Sequence, residues 1–190
     1  MKHLLALVFI SSALSVSSAF AQYATDFEAP TFTSGTIDGQ DSWTSTNPDR
    51  ARVLTKSGIA DELTILGASP GVTVHGGSQA LLVSGAGGSS ATVRVISGLE
   101  AESQVMLNVW VRPLTTATNP IGNVFVTMEN SAGTRAAAFR LGPLQSIDYG
   151  TTVTGIWQAT GKTWDPNTWY RMTMRVNYAT RTYDFAVNGV

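Results

Sequence analysis

The chain has 190 residues, no cysteine, and 12 basic against 13 acidic side chains. The lack of cysteine excludes disulfides, thiol catalysis and cysteine-ligated zinc or iron centres, and the balanced charge, with no basic patch, argues against nucleic acid as a partner. Charged residues make up 13% of the chain, about half the usual share of a soluble domain, so glycine, serine and threonine supply much of its polarity.

The first 21 residues have the three parts of a secretory signal peptide. Lys2 supplies a basic start, Leu4–Ile10 an apolar centre, and Ala19–Ala21 a small-residue cleavage site. A transmembrane anchor is the alternative, but serines between positions 11 and 18 interrupt the roughly 20 apolar residues that a span needs. We therefore predict a helical signal peptide over 1–21, export to a bacterial periplasm, envelope or exterior, and a mature chain over 22–190 without a membrane span.

Beyond the signal peptide, short runs that alternate between apolar and polar residues predict antiparallel β-structure. The weaker candidates, in chain order, are Gln79–Val83, Thr92–Ile96, Asn123–Met128, Ala136–Leu141 and Thr152–Gln158. The alternation is clearest in Val105–Val111, which Pro113 ends, in Tyr170–Val176 and in Tyr183–Val187. Eight or so short strands at this spacing predict an all-β fold: an antiparallel two-sheet jelly-roll sandwich in a single domain.

Segments rich in glycine and asparagine separate these runs. Residues 85–90 and Asn130–Gly133 are predicted turns, and Asn177–Arg181 is the predicted loop of a hairpin. Asn188-Gly189 is the strongest two-residue hairpin signal, yet the sequence stops at Val190. We therefore expect the sandwich to be C-terminally incomplete, or to lack the strand beside its last one, which would leave an unpaired edge.

Several segments spread over most of the mature chain carry a family resemblance. They are Asp26-Phe27-Glu28, Gly35–Gln40, Trp43, His75–Leu81, Trp169–Met172 and Tyr183–Val190. Together they resemble the concanavalin A-like lectin/glucanase superfamily, in the laminin-G-like branch of exported bacterial proteins that often carry a PEP-CTERM sorting signal. The resemblance implies a jelly-roll sandwich in which Trp169 opens a strand and the Asn-Gly turn leads into a further strand.

The chain lacks the catalytic motifs of this superfamily. Its glucanases carry Glu-x-Asp-x-Glu on one strand, whereas Glu100-Ala101-Glu102 is followed by Gln104 at the place of the third acid. Its alginate-lyase-like members carry Arg-x-Glu-x-Arg, whereas Arg171–Arg175 has threonine at its centre. His75, the only histidine of the mature chain, cannot form a metal cluster or a triad alone. We expect no catalytic residues; the alternatives to a binding module are a degenerate or truncated polysaccharide hydrolase or lyase, and a structural surface or adhesion module.

Sugars are bound by aromatic stacking and by planar polar groups, so tryptophans with polar neighbours are the candidate ligand-binding residues. Trp110 shares its predicted strand face with Asn108 and Arg112, opposite the aliphatic face. Trp157 and Trp164 flank a predicted loop, where a tryptophan is well placed to contact a ligand. These five residues predict a site for glycans or other cell-surface polymers.

The remaining tryptophans and the strand arginines have other predicted roles. Trp43 and Trp169 are predicted to pack in the core, Trp43 at one end of the sandwich. Four arginines fall on polar strand faces, where they would either converge on an acidic glycan or lie on a solvated outer face. They are Arg112, Arg140, Arg171 and Arg175.

A structural calcium site is the one cofactor that the sequence suggests. Calcium takes several carboxylate and carbonyl oxygens, and jelly-roll domains often clamp their first and last strands in this way. Asp26 and Glu28 near the start could meet Asp184 near the end. These three residues are therefore the candidate ligands, although no contiguous Asp-x-Asp loop supports them.

Overall fold

The computed structural model describes residues 23–65, 74–84, 91–96, 99, 102–114, 124–130, 132–142, 144–151 and 156–188. The predicted signal peptide, the predicted turn over 85–90 and Gly189 lie outside these ranges. Within them the chain is predominantly β-structure, as the alternation predicts. The strands are β1 (Gly35–Thr36), β2 (Trp43–Ser45), β3 (Ala51–Thr55), β4 (Gln79–Val83), β5 (Thr92–Arg94), β6 (Gln104–Val111), β7 (Val124–Glu129), β8 (Arg135–Leu141), β9 (Ser146–Thr151), β10 (Trp157–Thr163), β11 (Tyr170–Asn177) and β12 (Thr182–Val187).

All described strand pairs are antiparallel, and they form four sheets rather than the predicted two. Sheet I has the order β12-β11-β6, and sheet II has the order β10-β9-β8-β7. Sheet III has the order β1-β3-β4, and sheet IV pairs β2 with β5. The hairpins predicted at Asn130–Gly133 and Asn177–Arg181 are confirmed, because they join β7 to β8 and β11 to β12.

The main core lies between sheets I and II. Alternation places one face of β6 and β11 inward, so that Met172 and Met174 are each 1% exposed while Arg171 and Arg175 face solvent. Phe139 on β8 packs into the same core from sheet II. This face-to-face packing buries the apolar side of each sheet, which is the main favourable term in folding.

Two smaller cores involve the N-terminal half of the described chain. Phe32, Ile37 and Val53 form one of them, with Trp43 packed against it, which is consistent with the prediction that Trp43 is a packing residue. The other lies under a helix, α1 (Lys56–Ile65), which packs on sheet III through Ile59.

The helix α1 and the strands β1, β2, β3 and β9 are not among the predicted elements. The helix has two buried side chains, Ile59 and Leu63, and so shows one apolar pair rather than a stripe. Residues 158–163, expected to be a loop, belong to β10, and residues 152–155 of the strand predicted over Thr152–Gln158 lie outside the described residues. Small polar residues and a bulge between Ala159 and Lys162 obscure the alternation there.

Candidate binding surfaces

An open cleft of about 520 Å³ lies between the β12 edge of sheet I and strands β9 and β10 of sheet II. Its lining residues are Phe139, Tyr149, Gln158, Thr160, Lys162, Tyr183, Asp184, Phe185 and Val187. The inward face of β12 therefore contributes alternate side chains to the cleft, and β9 and β10 contribute the opposite wall.

The floor of the cleft is aromatic. The Phe185 ring lies at the centre, with its centroid 4.8 Å from that of Phe139, 5.1 Å from that of Tyr149 and 5.1 Å from that of Tyr183. Phe139 is fully buried, whereas the other three rings are partly exposed. The buried ring anchors the exposed ones, so the floor presents rigid apolar faces to the cleft.

Polar side chains surround this floor. Tyr149 and Gln158 are opposite each other in the β9–β10 register, and the Tyr149 hydroxyl donates to Gln158 Oε1 at 2.5 Å. The bulge in β10 follows, and the exposed Lys162 beyond it forms no ion pair within the described residues. Asp184, the one carboxylate among the described lining residues, is paired with Arg175.

The backbone of β12 adds fixed polar groups to the cleft. The N–H of Asn188 donates to the carbonyl of Arg171 at 2.7 Å, so residues 171 and 188 form a hydrogen-bonded pair of the antiparallel ladder. Since such pairs alternate, the N–H and C=O groups of Tyr183, Phe185 and Val187 point away from β11. No strand of the described chain pairs with this edge. Within the described residues this edge of β12 is therefore left unpaired, and both the loss of a neighbouring strand and the incompleteness of the sandwich stay predictions.

A second aromatic surface lies on the outer face of sheet I, opposite the main core. The imidazole of His75 stacks on Trp110, with the ring centroids 3.7 Å apart and the planes 22° apart. The Trp169 ring meets His75 edge-on at 5.7 Å. Beside this group, Arg171 Nε donates to Asn108 Oδ1 at 3.0 Å. The predicted ligand-binding pair Trp110 and Asn108 therefore does share one exposed strand face.

Trp164 is in the main core rather than on a ligand-facing loop. Its side chain is 2% exposed, and its Nε1 donates to the Gly142 carbonyl at 3.0 Å. A side chain enclosed in this way presents no surface to a ligand, so its prediction as a ligand-binding residue is corrected here. Trp169, predicted to pack in the core, instead lies half-buried just before β11 and contacts His75.

Trp157 lies on the outer face of sheet II, away from Trp110. Its ring covers Gly150, where an added Cβ atom would lie 3.0 Å from the ring, closer than an ordinary van der Waals contact. The guanidinium of Arg140 lies over the same ring at 4.8 Å, and Phe125 is 5.5 Å away. The five predicted ligand-binding residues are therefore not one site.

Arg112 is a structural contact in this fold. Its Nε donates to the carbonyl of Asn167 at 2.9 Å, and burial lowers the pKa of its guanidinium from the ordinary value. The side chain thus ties the end of β6 to the turn before β11, and its role as a ligand contact stays a prediction.

The predicted calcium ligands are not brought together. Glu28 accepts hydrogen bonds from the Ser78 N–H at 2.7 Å, the Ser78 hydroxyl at 2.5 Å and the Gln79 N–H at 2.8 Å. Asp184 is paired with Arg175 instead. Over the described ranges, no group of three or more histidine, aspartate or glutamate side chains is close enough to hold a metal ion. The carboxylate oxygens of Glu28, which would be the calcium ligands, accept hydrogen bonds from Ser78 and Gln79 instead.

Glu28 therefore fastens the N-terminal segment to the start of β4, and this contact depends on pH. The Ser78 hydroxyl, followed by the Gln79 and Ser78 N–H groups, lowers the pKa of Glu28 below its ordinary value of 4.5. Since the folded state has the lower pKa, the ionised carboxylate stabilises the fold above about pH 4.5, and this stabilisation is lost as the pH falls through the folded pKa.

We expect Glu28→Gln to lower the Tm at about pH 7 and to have a smaller effect at about pH 3, because acid already neutralises the wild-type carboxylate. Thermal unfolding followed by circular dichroism at both pH values measures the difference. Glu129→Gln is the control, since that exposed glutamate makes one ion pair, with Arg135 at 3.9 Å. An equal loss of Tm at both pH values for Glu28→Gln would contradict the assignment.

The cleft is not evident from sequence patterns. Its walls come from β9, which no sequence pattern predicts, and from the part of β10 for which the sequence predicts a loop. The local signal was the alternation of Tyr183, Phe185 and Val187, which shows that one face of β12 is apolar. Which residues stand opposite that face depends on how the two sheets pack.

Of the helices in the part of the chain that the structure describes, none has the length and apolarity to cross a membrane. Comparison of the chain with models of protein families, with curated proteins and with solved structures found no match.

Proposed function

We propose that the protein is an exported, non-catalytic module with a jelly-roll sandwich fold, similar to concanavalin A-like domains, and that it binds carbohydrate in the cleft beside β12. The signal-peptide pattern of residues 1–21 supports export. The packing of two antiparallel sheets around one core supports the sandwich.

One observation carries the ligand class: partly exposed aromatic rings and fixed polar groups line the same open cleft. The apolar faces of Tyr149, Tyr183 and Phe185 suit the C–H faces of a sugar ring. Gln158 and the outward backbone groups of β12 suit its hydroxyls, because each supplies a donor or acceptor in a fixed place.

The same lining favours binding over hydrolysis. Glycoside hydrolysis uses a pair of carboxyl groups on either side of the scissile bond. Asp184 is the one carboxylate among the described lining residues, and Arg175 neutralises it. The cleft therefore has groups for holding a sugar, with no second acid among the described lining residues.

Affinity electrophoresis against immobilised neutral polysaccharides, followed by calorimetric titration of the retained ones, tests the proposal. We expect Tyr183→Ala to weaken binding about tenfold, since losing one stacked ring removes on the order of 1 kcal/mol or more. Gln158→Ala, at an exposed position, should weaken binding several-fold and leave the Tm unchanged.

Tyr178→Ala is the matched control. Tyr178 is 49% exposed and lies in the β11–β12 turn, outside the residues that line the cleft. Retention on none of the polysaccharides would overturn the proposed function. Retention that Tyr178→Ala reduces as much as Tyr183→Ala would place the ligand elsewhere.

A further inference from the structure

We propose that the outer face of sheet I carries a second site, separate from the cleft, which binds an acidic sugar residue with Arg171 on its carboxylate and Trp110 against its ring. The register of sheet I places these two side chains together. Trp110 on β6 is directly opposite Arg171 on β11, and Asn108 is opposite Thr173. Directly opposed residues have their Cβ atoms about 5 Å apart, so one small ligand can contact both.

The guanidinium of Arg171 is oriented through Nε, and its two terminal nitrogens make no hydrogen bond within the described residues. Its Nε donates to Asn108 Oδ1 at 3.0 Å, and its backbone N–H donates to Asn188 Oδ1 at 3.0 Å. The side chain is exposed and forms no ion pair within the described residues. The two terminal nitrogens are thus left for a bidentate contact, the geometry in which guanidinium recognises a carboxylate.

The next arginine along the same face differs in this respect. Arg175 donates from Nε and Nη2 to Asp184 Oδ2, so its charge is already satisfied by the protein. Arg171 and Arg175 share a strand, a face and solvent exposure. Arg175 has a carboxylate partner, whereas Arg171 is only oriented by the amide of Asn108. Arg171 is therefore the group available to an anion.

The aromatic rings beside Arg171 favour a ligand that has an apolar ring face as well as a negative charge. Trp110 is 43% exposed, and His75 stacked on it and Trp169 at the edge of His75 form one aromatic group. An inorganic anion would gain nothing from these rings, whereas the apolar face of a pyranose would pack on them. A hexuronic acid unit presents both a C–H face and a carboxylate, and so matches both parts of the site.

Nucleic acid, which also combines rings with negative charge, fits the surface less well. Its affinity comes mainly from several phosphate contacts made by a basic patch. The chain has 12 basic and 13 acidic side chains, and the charge of Arg175, the neighbouring arginine of this strand face, is already paired with Asp184. One guanidinium beside an aromatic group suits a single carboxylate on a sugar.

Calorimetric titration of the full chain with two matched probes tests the site. One probe is a linear hexamer of hexuronic acid units, and the other is the same hexamer with its carboxyl groups reduced to alcohols. We expect the acidic hexamer to bind at least tenfold more tightly at low salt and to lose much of this advantage at about 1 M NaCl, where charge is screened. Equal affinity for the two probes, or no binding of the acidic one, would overturn the proposal.

Variants then locate the contact. Arg171→Ala should weaken binding of the acidic hexamer at least tenfold, and Arg171→Lys, which keeps the charge but not the fork of donors, should weaken it several-fold. Trp110→Ala should weaken the binding of both probes at this site. Arg175→Ala, which removes the same charge from the same face, should change affinity less than twofold. Gln158→Ala, which alters the cleft, should leave the preference for the acidic hexamer over the reduced one unchanged, which separates this site from the cleft.

An effect of Arg175→Ala as large as that of Arg171→Ala would mean that only general charge matters, and would refute the assignment. Loss of acidic-hexamer binding in Gln158→Ala, with Arg171→Ala unaffected, would refute it in favour of the cleft. The Tm of each variant is measured alongside, and Arg171→Lys supplies the result if Arg171→Ala unfolds.

Discussion

Replacing Trp164 by alanine is expected to destabilise the protein by about 3–5 kcal/mol, as the loss of a large buried side chain does in other cores. Trp164 is 2% exposed and packs between sheets I and II with residues such as Phe139 and Met172. Truncation would leave a cavity and would also remove one of the two hydrogen bonds to the buried Gly142 carbonyl, which the Gln145 N–H also contacts at 3.1 Å. Equilibrium unfolding in guanidinium chloride gives the free energy directly.

Trp110→Ala is the control, because it removes the same side chain from a position that is 43% exposed. We expect this variant to lose less than about 1.5 kcal/mol, the scale of an aromatic contact such as the one with His75. Trp164→Phe should fall between the two, since it fills most of the cavity but removes one of the two donors to the Gly142 carbonyl, the other being the Gln145 N–H at 3.1 Å. Similar losses for Trp164→Ala and Trp110→Ala would contradict the burial of Trp164.

The second large effect is expected at Asp148, where alanine should cost about 3 kcal/mol. The Asp148 side chain is 6% exposed, and its Oδ2 accepts from Arg140 Nε at 2.9 Å and from the Ser146 hydroxyl at 3.1 Å. Arg140 is itself partly buried against Trp157. Removing the carboxylate leaves this guanidinium without its counter-ion in a partly desolvated place, which is costly.

A second arginine–aspartate ion pair, Arg175 with Asp184, has similar geometry but is exposed to solvent. Arg175 Nε lies 3.0 Å from Asp184 Oδ2, but the side chain of Asp184 is 66% exposed. Asp184→Ala should therefore cost less than about 1 kcal/mol in the same denaturation experiment. If Asp148→Ala and Asp184→Ala lower the free energy of unfolding equally, burial is not the reason that the Asp148 ion pair stabilises the fold.

A double replacement separates the two contributions at Asp148. Arg140→Met combined with Asp148→Leu removes both charges and keeps apolar volume, so it should recover much of the free energy that Asp148→Ala loses. A double variant as unstable as the single one would show that the ion pair itself, rather than the uncompensated charge, supplies the stability.

The sequence alone predicts the elements whose pattern is local. The period-two alternation of Val105–Val111 and Tyr170–Val176 identifies β6, β11 and their inward faces, because successive side chains of a strand point to opposite sides. Turn residues identify the β7–β8 and β11–β12 hairpins, since a tight turn needs particular residues at adjacent positions. The predominance of antiparallel β-structure follows from these local patterns.

Tertiary structure decides which of these residues are accessible and which meet. Trp164 and Trp110 are equally plausible as ligand contacts from their neighbours in sequence, and only the packing of the two sheets encloses one and exposes the other. In the same way, Arg171 and Arg175 cannot be distinguished by their neighbours in sequence. In the fold, the strand β12 supplies a carboxylate, Asp184, to Arg175 alone of these two. Burial, ion pairing and the cleft all depend on residues far apart in the chain, and a periodic pattern carries no information about those partners.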